Sequence, residues 1–521
     1  MQRGTIQTAR FAPDGTIVYA AGWEGRPAEL YTTRPEGSLS RALGIAQAQI
    51  LAISSAGEMA IQRETRGVGI FFGTLARASH AGGVPRDLLQ NVIAADWSPD
   101  GKNLAVVRWR VEGQTLVEYP IGTPIYRTST NLISRIRVSP DGDTVAFIEH
   151  RGNQGDYAGS IITIDRNGKK HALVANWSQI TELAWRNAKE LWFGGAPAGA
   201  ATAIYSIAGG GPPRVVMTIP GVALLQDIDR QGRLLFVRDA TRGGVIAAVP
   251  EQPGERELGW FDASSVRALS ENHQTILFDE YGEFNGTSGV YVRGVYVRGV
   301  DGAAAVRLSD GVGMALSPDG KWALTDSMSV PERLVVVPTG AGAPRTLPAG
   351  GIDRYSFRTQ SRWLKSNEVL FVGAQPGKRF RVWLQKVPDG EPRAITPEGR
   401  TGTAMSPDQS RVVVRDREGK LWPYPLPGGD PQAAGTAQQD DKPVGWSNDG
   451  EWLYLYDFPS LPAKVYRQHI RTGQRELWKQ FMPADPAGVA EIQDLILSTD
   501  GRAYAYTYVR MLSDLFLAAN F

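Results

Sequence analysis

The chain has 521 residues, 42% apolar and 21% charged, with 56 Lys and Arg set against 54 Asp and Glu. That length asks for two domains or a repeat array rather than one core, and near-neutral charge without a basic stripe speaks against nucleic acid or an anionic membrane as partner. The absence of cysteine excludes disulfides, thiolate nucleophiles and cysteine metal sites. No apolar run approaches the ~20 residues of a membrane span, and the start, MQRGTIQTARF, has no apolar signal core.

From the amino end, strand formers alternate with tight turns. The first turn is Ala12-Pro13-Asp14-Gly15, and the next is Ser54-Ser55-Ala56-Gly57. Ser98-Pro99-Asp100-Gly101 follows, between IAADW and NLAVVRW, and the same four residues return at Ser139–Gly142. Looser copies lie in LAWRNAKELWF around Arg186, in QDIDRQGRLLFV around Arg230 and in RALSENHQTILFD around Ser270. Ser317–Gly320 restores the full motif. Variants then come at Lys365 (SRWLKSNEVLFV), Ser406–Gln409, Ser447–Gly450 and Ser498–Gly501.

Ser at position i, Pro at i+1 and Gly at i+3 suit a type I turn. Pro99 presets φ, Asp100 bonds nearby backbone, and Gly101 accepts positive φ, which closes a hairpin. The turns begin at 12, 54, 98, 139, 186, 229, 270, 317, 364, 406, 447 and 498, twelve units 41 to 51 residues apart. Each unit adds a third strand ending in a polar break, as in AELYTTRPEG, GSIITIDRNGKK and AKVYRQHIRTGQ. A short fourth strand such as RELWKQF can follow.

Four strands in about 40–50 residues make a β-propeller blade. A blade covers neither face alone, so blades stack around an axis. The expected fold is all-β: two consecutive six-bladed propellers of four-stranded antiparallel blades, residues 1–260 and 261–521. A strand from one terminus could complete a blade at the other and move that boundary. Seven plus five blades is the alternative.

Three stretches break the pattern. PLPGGDPQAAGTAQQDDKP (Pro425–Pro443) reads as a loop between strands, and MPADPAGVAEIQDL (Met482–Leu495) as room for one helical turn. VYVRGVYVRGV (Val290–Val300) repeats a pentapeptide. An odd insertion flips every later side chain, so a loop is expected to absorb it, with a bulged or lengthened hairpin as the other reading.

No motif for catalysis, metal or cofactor emerges. There is no Gly-x-Ser-x-Gly elbow, no Walker loop and no kinase motif set. GTSG (Gly286–Gly289) is one residue short of the elbow. No two of His80, His150, His171, His273 and His469 lie within four residues of each other. Asp227–Gly232 opens like a calcium loop, but Arg238 stands where a bidentate Glu is needed, so it reads as a hairpin turn.

The remaining binding place is the mouth of a central channel. Polar residues in the strands before the turns are Arg10, Asp96, Arg135, Arg137, Glu182, Asp227, Arg267 and Asp494. Such mixed charge suits a peptide or small polar ligand, or else satisfies itself and water around an ordinary channel. Trp97, Trp185, Trp363 and Trp446 recur at one place relative to the turn, which argues for blade-to-blade packing.

Longer segments carry a family resemblance. RFAPDGTIVYAAGWEGRPAELYTTRPEG, GTLARASHAGGVPRDLLQNVIAADWSPDGKNLAVVR, LPAKVYRQHIRTGQRELWKQFMPADPAGV and AYAYTYVRMLSDLFLAANF resemble the C-terminal TolB-like, WD-repeat-like propeller region of bacterial eukaryotic-type serine/threonine protein kinases, abundant in acidobacteria. The resemblance covers nearly the whole chain, without the kinase domain or membrane helix that precede this region in the family. It implies a non-enzymatic, extracytoplasmic sensor or ligand-binding module, with a protein, peptide or envelope ligand and a membrane-anchored kinase as parent or neighbour. The alternatives are a TolB-like docking scaffold and an enzyme, a lyase or hydrolase, with its site in a channel.

Overall fold

The structure, a computed structural model, describes all residues except 1–2, 38, 67–71, 110–113, 152–157, 199–201, 220–221, 285–290, 357–358, 417, 427, 432–434, 436, 439–440, 459 and 520–521. Among the described residues every regular element is a β-strand. The strands form ten sheets: six of four strands, two of five, one of three and one of seven. Their pairings are antiparallel, and most sheets are meanders in chain order, the architecture of propeller blades.

The seven-stranded sheet is two such meanders sharing the strand Arg86–Trp97. Residues 86–92 pair back onto Phe72–Ser79, and residues 92–97 pair forward onto Leu104–Trp109.

The chain divides into two compact units, residues 1–240 with 511–521, and residues 241–285 with 291–510. The passages fall inside two 15-residue strands, Leu234–Ala248 and Tyr504–Ala518. The turn count alone places the change near residue 260.

The repeated turn has one hydrogen-bond pattern. The Gly101 amide donates to the Ser98 carbonyl at 2.8 Å, Ser98 Oγ donates to Asp100 Oδ1 at 2.5 Å, and the Asn103 amide donates to Ser98 Oγ at 2.9 Å. Ser139, Ser317, Ser447 and Ser498 repeat it. The Ser hydroxyl holds the Asp100, Asp141 and Asp319 carboxyls below the usual carboxylate range. Ser406 and Ser410 together take Asp408 down to about 2.

Gly101 has φ of 70°, and where Gly is missing His273, Asn367 and Gln409 adopt 59°, 59° and 57°. The turn after Arg186 differs: Asn187 pairs with Glu190 across a two-residue loop.

The apolar core is a series of seams between successive sheets. In the first unit Ile93, Val107 and Val117 meet Ile133, Phe147 and Ile162, and Ile148 and Ile161 meet Leu183 and Phe193. Leu235 and Val237 then pack on Ile6, Ala9 and Tyr19 of the first sheet. In the second unit Met314 and Leu324 meet Trp363 and Phe371, and Tyr456 and Val465 meet Ile492 and Tyr506. Val245, Ile496 and Ala505 pack on Val266 and Phe278.

Two irregular stretches differ from expectation. The duplicated pentapeptide is strand rather than loop: Tyr291–Gly299 pairs with Thr275–Phe284, with one slip between Tyr281 and Glu283. The extra residue at the slip, Gly282, lies in the partner strand. No helical turn forms in Met482–Leu495; the Val489 amide bonds the Pro486 carbonyl and a strand follows, Val489–Leu497. Parts of Pro425–Pro443 lie outside the described residues; Leu421–Pro425 and Asp441–Trp446 flank it as strands.

Candidate functional site

The first strand of nearly every meander carries a bulge. The register slips at Ile6/Thr8, Ile50/Ala52, Val92/Ala94, Ser134/Ile136, Ile180/Glu182 and Leu225/Asp227 in the first unit. In the second it slips at Val266/Ala268, Gly313/Ala315, Thr401/Ala404, Pro443/Gly445 and Gln493/Ile496. A bulge frees the extra residue's backbone groups from the ladder and re-aims its side chain. Arg135 and Asp494 sit at such places with φ of 48° and 46°.

In the first unit buried charge meets these freed carbonyls. Arg10, 6% exposed, donates through Nε to the Leu51 carbonyl at 2.8 Å and through Nη1 to the Gln226 carbonyl at 2.8 Å. Arg137 reaches the same Gln226 carbonyl at 3.5 Å. Asp227 Oδ2 accepts the Phe11 amide at 2.9 Å, and Asp96 Oδ2 accepts the Val138 amide at 2.8 Å. Arg135 Nε pairs with Glu182 Oε1 at 2.5 Å, and Glu182 Oε2 is buried with no hydrogen-bond partner among the described residues. Burial and the nearby Arg137 push Arg10 down to about 10, against the pull of Asp227, Glu182 and Asp96. Burial raises Asp96 despite Arg137.

Six of the eight residues singled out in the sequence thus come together in one unit, where they bond one another and nearby backbone groups, with Glu182 Oε2 left over. Gln226, which accepts the Ala9 amide on its side chain, belongs with them and gave no sequence signal.

Arg267 and Asp494 meet in the second unit. Arg267 Nε donates to Asp279 Oδ2 at 2.6 Å, Nη2 to the Tyr281 hydroxyl at 2.9 Å, and Nη1 lies 3.6 Å from Asp494 Oδ2. Burial would release its proton, but Asp279 and Asp494 outweigh burial and hold the guanidinium charged. Ser265 Oγ donates to Asp494 Oδ2, and the Gly313 amide donates to Asp279 Oδ1.

Beside this cluster is a cavity of about 310 Å³, lined by Arg267, Met314, Thr401 to Thr403, Val444 and Asp494 to Ile496 from five sheets, and by Gln360 from the stretch between Arg354–Tyr355 and Arg362–Trp363. Gln360 spans part of it. Its Nε2 donates to the Leu495 carbonyl at 2.6 Å, its carbonyl accepts Thr403 Oγ1, and its Oε1 accepts Arg362 Nη2 at 2.7 Å. Asp441 is fixed at the wall by two bonds from Arg475. Arg415, Asp416 and Lys442 complete a lining of mixed sign.

The residue types just before the turns differ in part between the two units. Two residues before the turn stand Arg10, Ala52, Asp96, Arg137, Ala184 and Asp227 in the first unit, and Ala268, Ala315, Ala404, Gly445 and Ile496 in the second. Arg362 is the exception there and was discoverable by the same spacing. Asp279 and Tyr281, on a second strand, were not.

The other residues singled out are structural. Trp185 Nε1 donates to the Arg137 carbonyl at 3.3 Å and Trp446 Nε1 to the Ala404 carbonyl at 3.0 Å, each tying one sheet to the one before. Trp97 and Trp363 are buried. The histidines are dispersed: His80 bonds the Gly57 carbonyl, His150 lies between Ser134 Oγ and the Ala158 carbonyl, and His273 and His469 face turn carboxylates. Among the described residues no three His, Asp or Glu are grouped to hold a metal. Asp229 caps its own hairpin through the Gln231 and Arg233 amides. GTSG lies outside the described residues.

No protein-family model and no curated protein matches the chain. Solved structures similar to it include a TolB protein of Agrobacterium tumefaciens, at 15% identity and TM-score 0.38, covering 52% of this chain and 98% of that one. The tricorn protease aligns at 14% identity and TM-score 0.27, over 81% of this chain and 57% of that one. A prolyl endopeptidase aligns at 13% and 0.25, over 98% of this chain and 54% of that one.

Proposed function

We propose that each compact unit is a closed six-bladed propeller and that the chain is a non-enzymatic binding module. Its ligand, a peptide or small polar molecule of protein or cell-envelope origin, enters the cavity of the second unit, and the role is that of a sensor. The first ring takes residues 1–240 and 511–518, and the second takes residues 241–285 and 291–510. Support for the rings comes from the apolar seams, which run from sheet to sheet and return to the start within each unit.

The observation that carries the binding reading is the space of about 310 Å³ framed by five first strands and by Thr359 and Gln360. Its wall offers fixed charges of both signs together with Thr and Gln, a lining suited to orienting a polar ligand. The charged residues there are held by partners, which favours recognition over proton transfer.

The test is a thermal-shift titration with short synthetic peptides and soluble peptidoglycan fragments, on the parent and on Thr401→Trp, which fills the cavity. A ligand that raises the parent's melting temperature by several degrees and leaves the variant's unchanged is the expected result. Equal shifts in both proteins, or none in either, would overturn the reading.

A further inference from the structure

One first strand of the second unit is broken rather than bulged. Arg354–Tyr355 and Arg362–Trp363 both pair with Glu368–Ala374, and between them residues 356–361 stand opposite Phe371 and Val372 alone. Thr359 and Gln360 of this break line the cavity, and Arg362 follows at its end, two residues before the turn. At the same distance from their turns the other first strands of the unit carry Ala268, Ala315, Ala404, Gly445 and Ile496, none of them charged.

Arg362 lacks a countercharge. Its Nη2 donates to Gln360 Oε1 at 2.7 Å, a neutral acceptor, and its Nε is buried without a hydrogen-bond partner. Among the described residues no carboxylate lies within 4 Å of it, and Phe357 and Arg358, outside the described residues of the break, bring none. Glu271 acts on it from farther off, but already accepts Gln409 Nε2 at 3.1 Å and lies 3.8 Å from Lys365 Nζ. Burial pushes the guanidinium down to about 10, against the pull of Glu271. Ser361 Oγ, one residue back, is also buried without a partner. Arg362 keeps part of its surface accessible although protein surrounds it, so that surface opens onto interior space. A surrounded cation without a counterion is destabilising, and a bound anion relieves it.

We propose that Arg362 anchors a carboxylate borne by the ligand of this cavity. The proposal rests on the binding reading above and names the group by which the ligand is held. Gln360, whose Nε2 donates to the Leu495 carbonyl at 2.6 Å, sets the guanidinium one hydrogen bond from the cavity wall. A carboxylate meets a guanidinium edge in two parallel bonds. The charges lining the cavity are equal in number, Arg267, Arg415 and Lys442 against Asp416, Asp441 and Asp494, so Arg362 is the cation in excess. A single negative charge neutralises it, whereas a phosphate dianion would bring a surplus beside three aspartates.

The probes are sodium acetate, with acetamide, sodium chloride and sodium phosphate for comparison, and trialanine with its amide. Thermal melts and isothermal titration read them on the parent, on Arg362→Met and on Arg362→Lys. Saturating acetate is expected to raise the parent's melting temperature by about 2–4 °C, and acetamide and chloride to leave it unchanged. Arg362→Met should lose the acetate shift. Arg362→Lys keeps the charge without the fork and should bind acetate about three- to tenfold more weakly. Trialanine binding about tenfold tighter than its amide assigns the carboxylate to a peptide end, and binding of acetate without trialanine assigns it to a small organic acid. No acetate shift in the parent, an equal shift with chloride or in both variants, or a larger one with phosphate overturns the proposal. An amidated peptide that binds the parent and not Thr401→Trp would then leave the cavity reading standing without this anchor.

Discussion

Single residues in the repeated turn carry a backbone cost that can be measured. Gly15 and Gly101 both have left-handed φ, 82° and 70°. A Cβ on Gly15 meets nothing within 4 Å, whereas on Gly101 it comes 3.2 Å from Ser55 Oγ. Gly15→Ala therefore isolates the φ penalty, about 1 kcal/mol, and Gly101→Val should cost more, both read from denaturant midpoints. Equal stability of parent and Gly101→Val would remove the turn assignment.

A second residue-scale test is a buried acid. Asp326 is pushed up to about 7 by burial; the Met328 amide opposes the shift, Glu332 adds to it and Arg293 opposes it. A raised carboxyl favours the protonated fold, so its ionisation costs nothing below pH ~4, costs progressively more up to pH 7, and reaches its full cost above that. Asp326→Asn should raise the free energy of unfolding at pH 8 by up to about a few kcal/mol and leave it unchanged at pH 4, read from denaturant melts. A gain that is the same at both pH values would show that the charge is not the cause.

At the scale of elements, the seams between sheets combine apolar contact with a few buried polar ties. Trp446, 2% exposed, is the clearest, with its indole nitrogen on the Ala404 carbonyl. Trp446→Phe removes that donor and leaves a smaller ring in the seam, so a loss of about 1–3 kcal/mol is expected. Parental stability would mean that water replaces the bond. The hairpin of Thr275–Phe284 and Tyr291–Gly299 teaches the opposite lesson about insertions. The duplicated stretch is taken into a long hairpin, and the partner strand carries an extra residue, Gly282, opposite it.

For the whole molecule, the strand 511–518 belongs to the first unit although it is last in the chain. Its removal strips one neighbour from residues 234–239 and opens the seam that Leu515 shares with Ile6 and Leu235. Deletion of 511–521 should therefore abolish exchange protection at 234–239 and in the first sheet. Protection at Glu368–Ala374 and Arg411–Arg415 in the second unit should survive. Uniform loss across both units would mean that the two fold as one cooperative block.

The sequence by itself determined the hairpins. Pro99, Asp100 and Gly101 act within four residues, and copies spaced by about 40 to 50 residues repeat the same local physics, so turns, strands and the all-β class were legible one unit at a time. It also placed Arg10, Asp96, Arg137 and Asp227 at one height, because their distance from the turn is a local quantity. Only the tertiary structure decided what those residues touch. Bulges aim them at carbonyls of other sheets, and partners such as Gln226 and Asp279 arrive from strands with no fixed offset to the turn. The same holds for the passage between units at 240 and 510. Strand pairing between residues more than 270 apart leaves no mark in local composition, and it alone gave the last strand to the first unit.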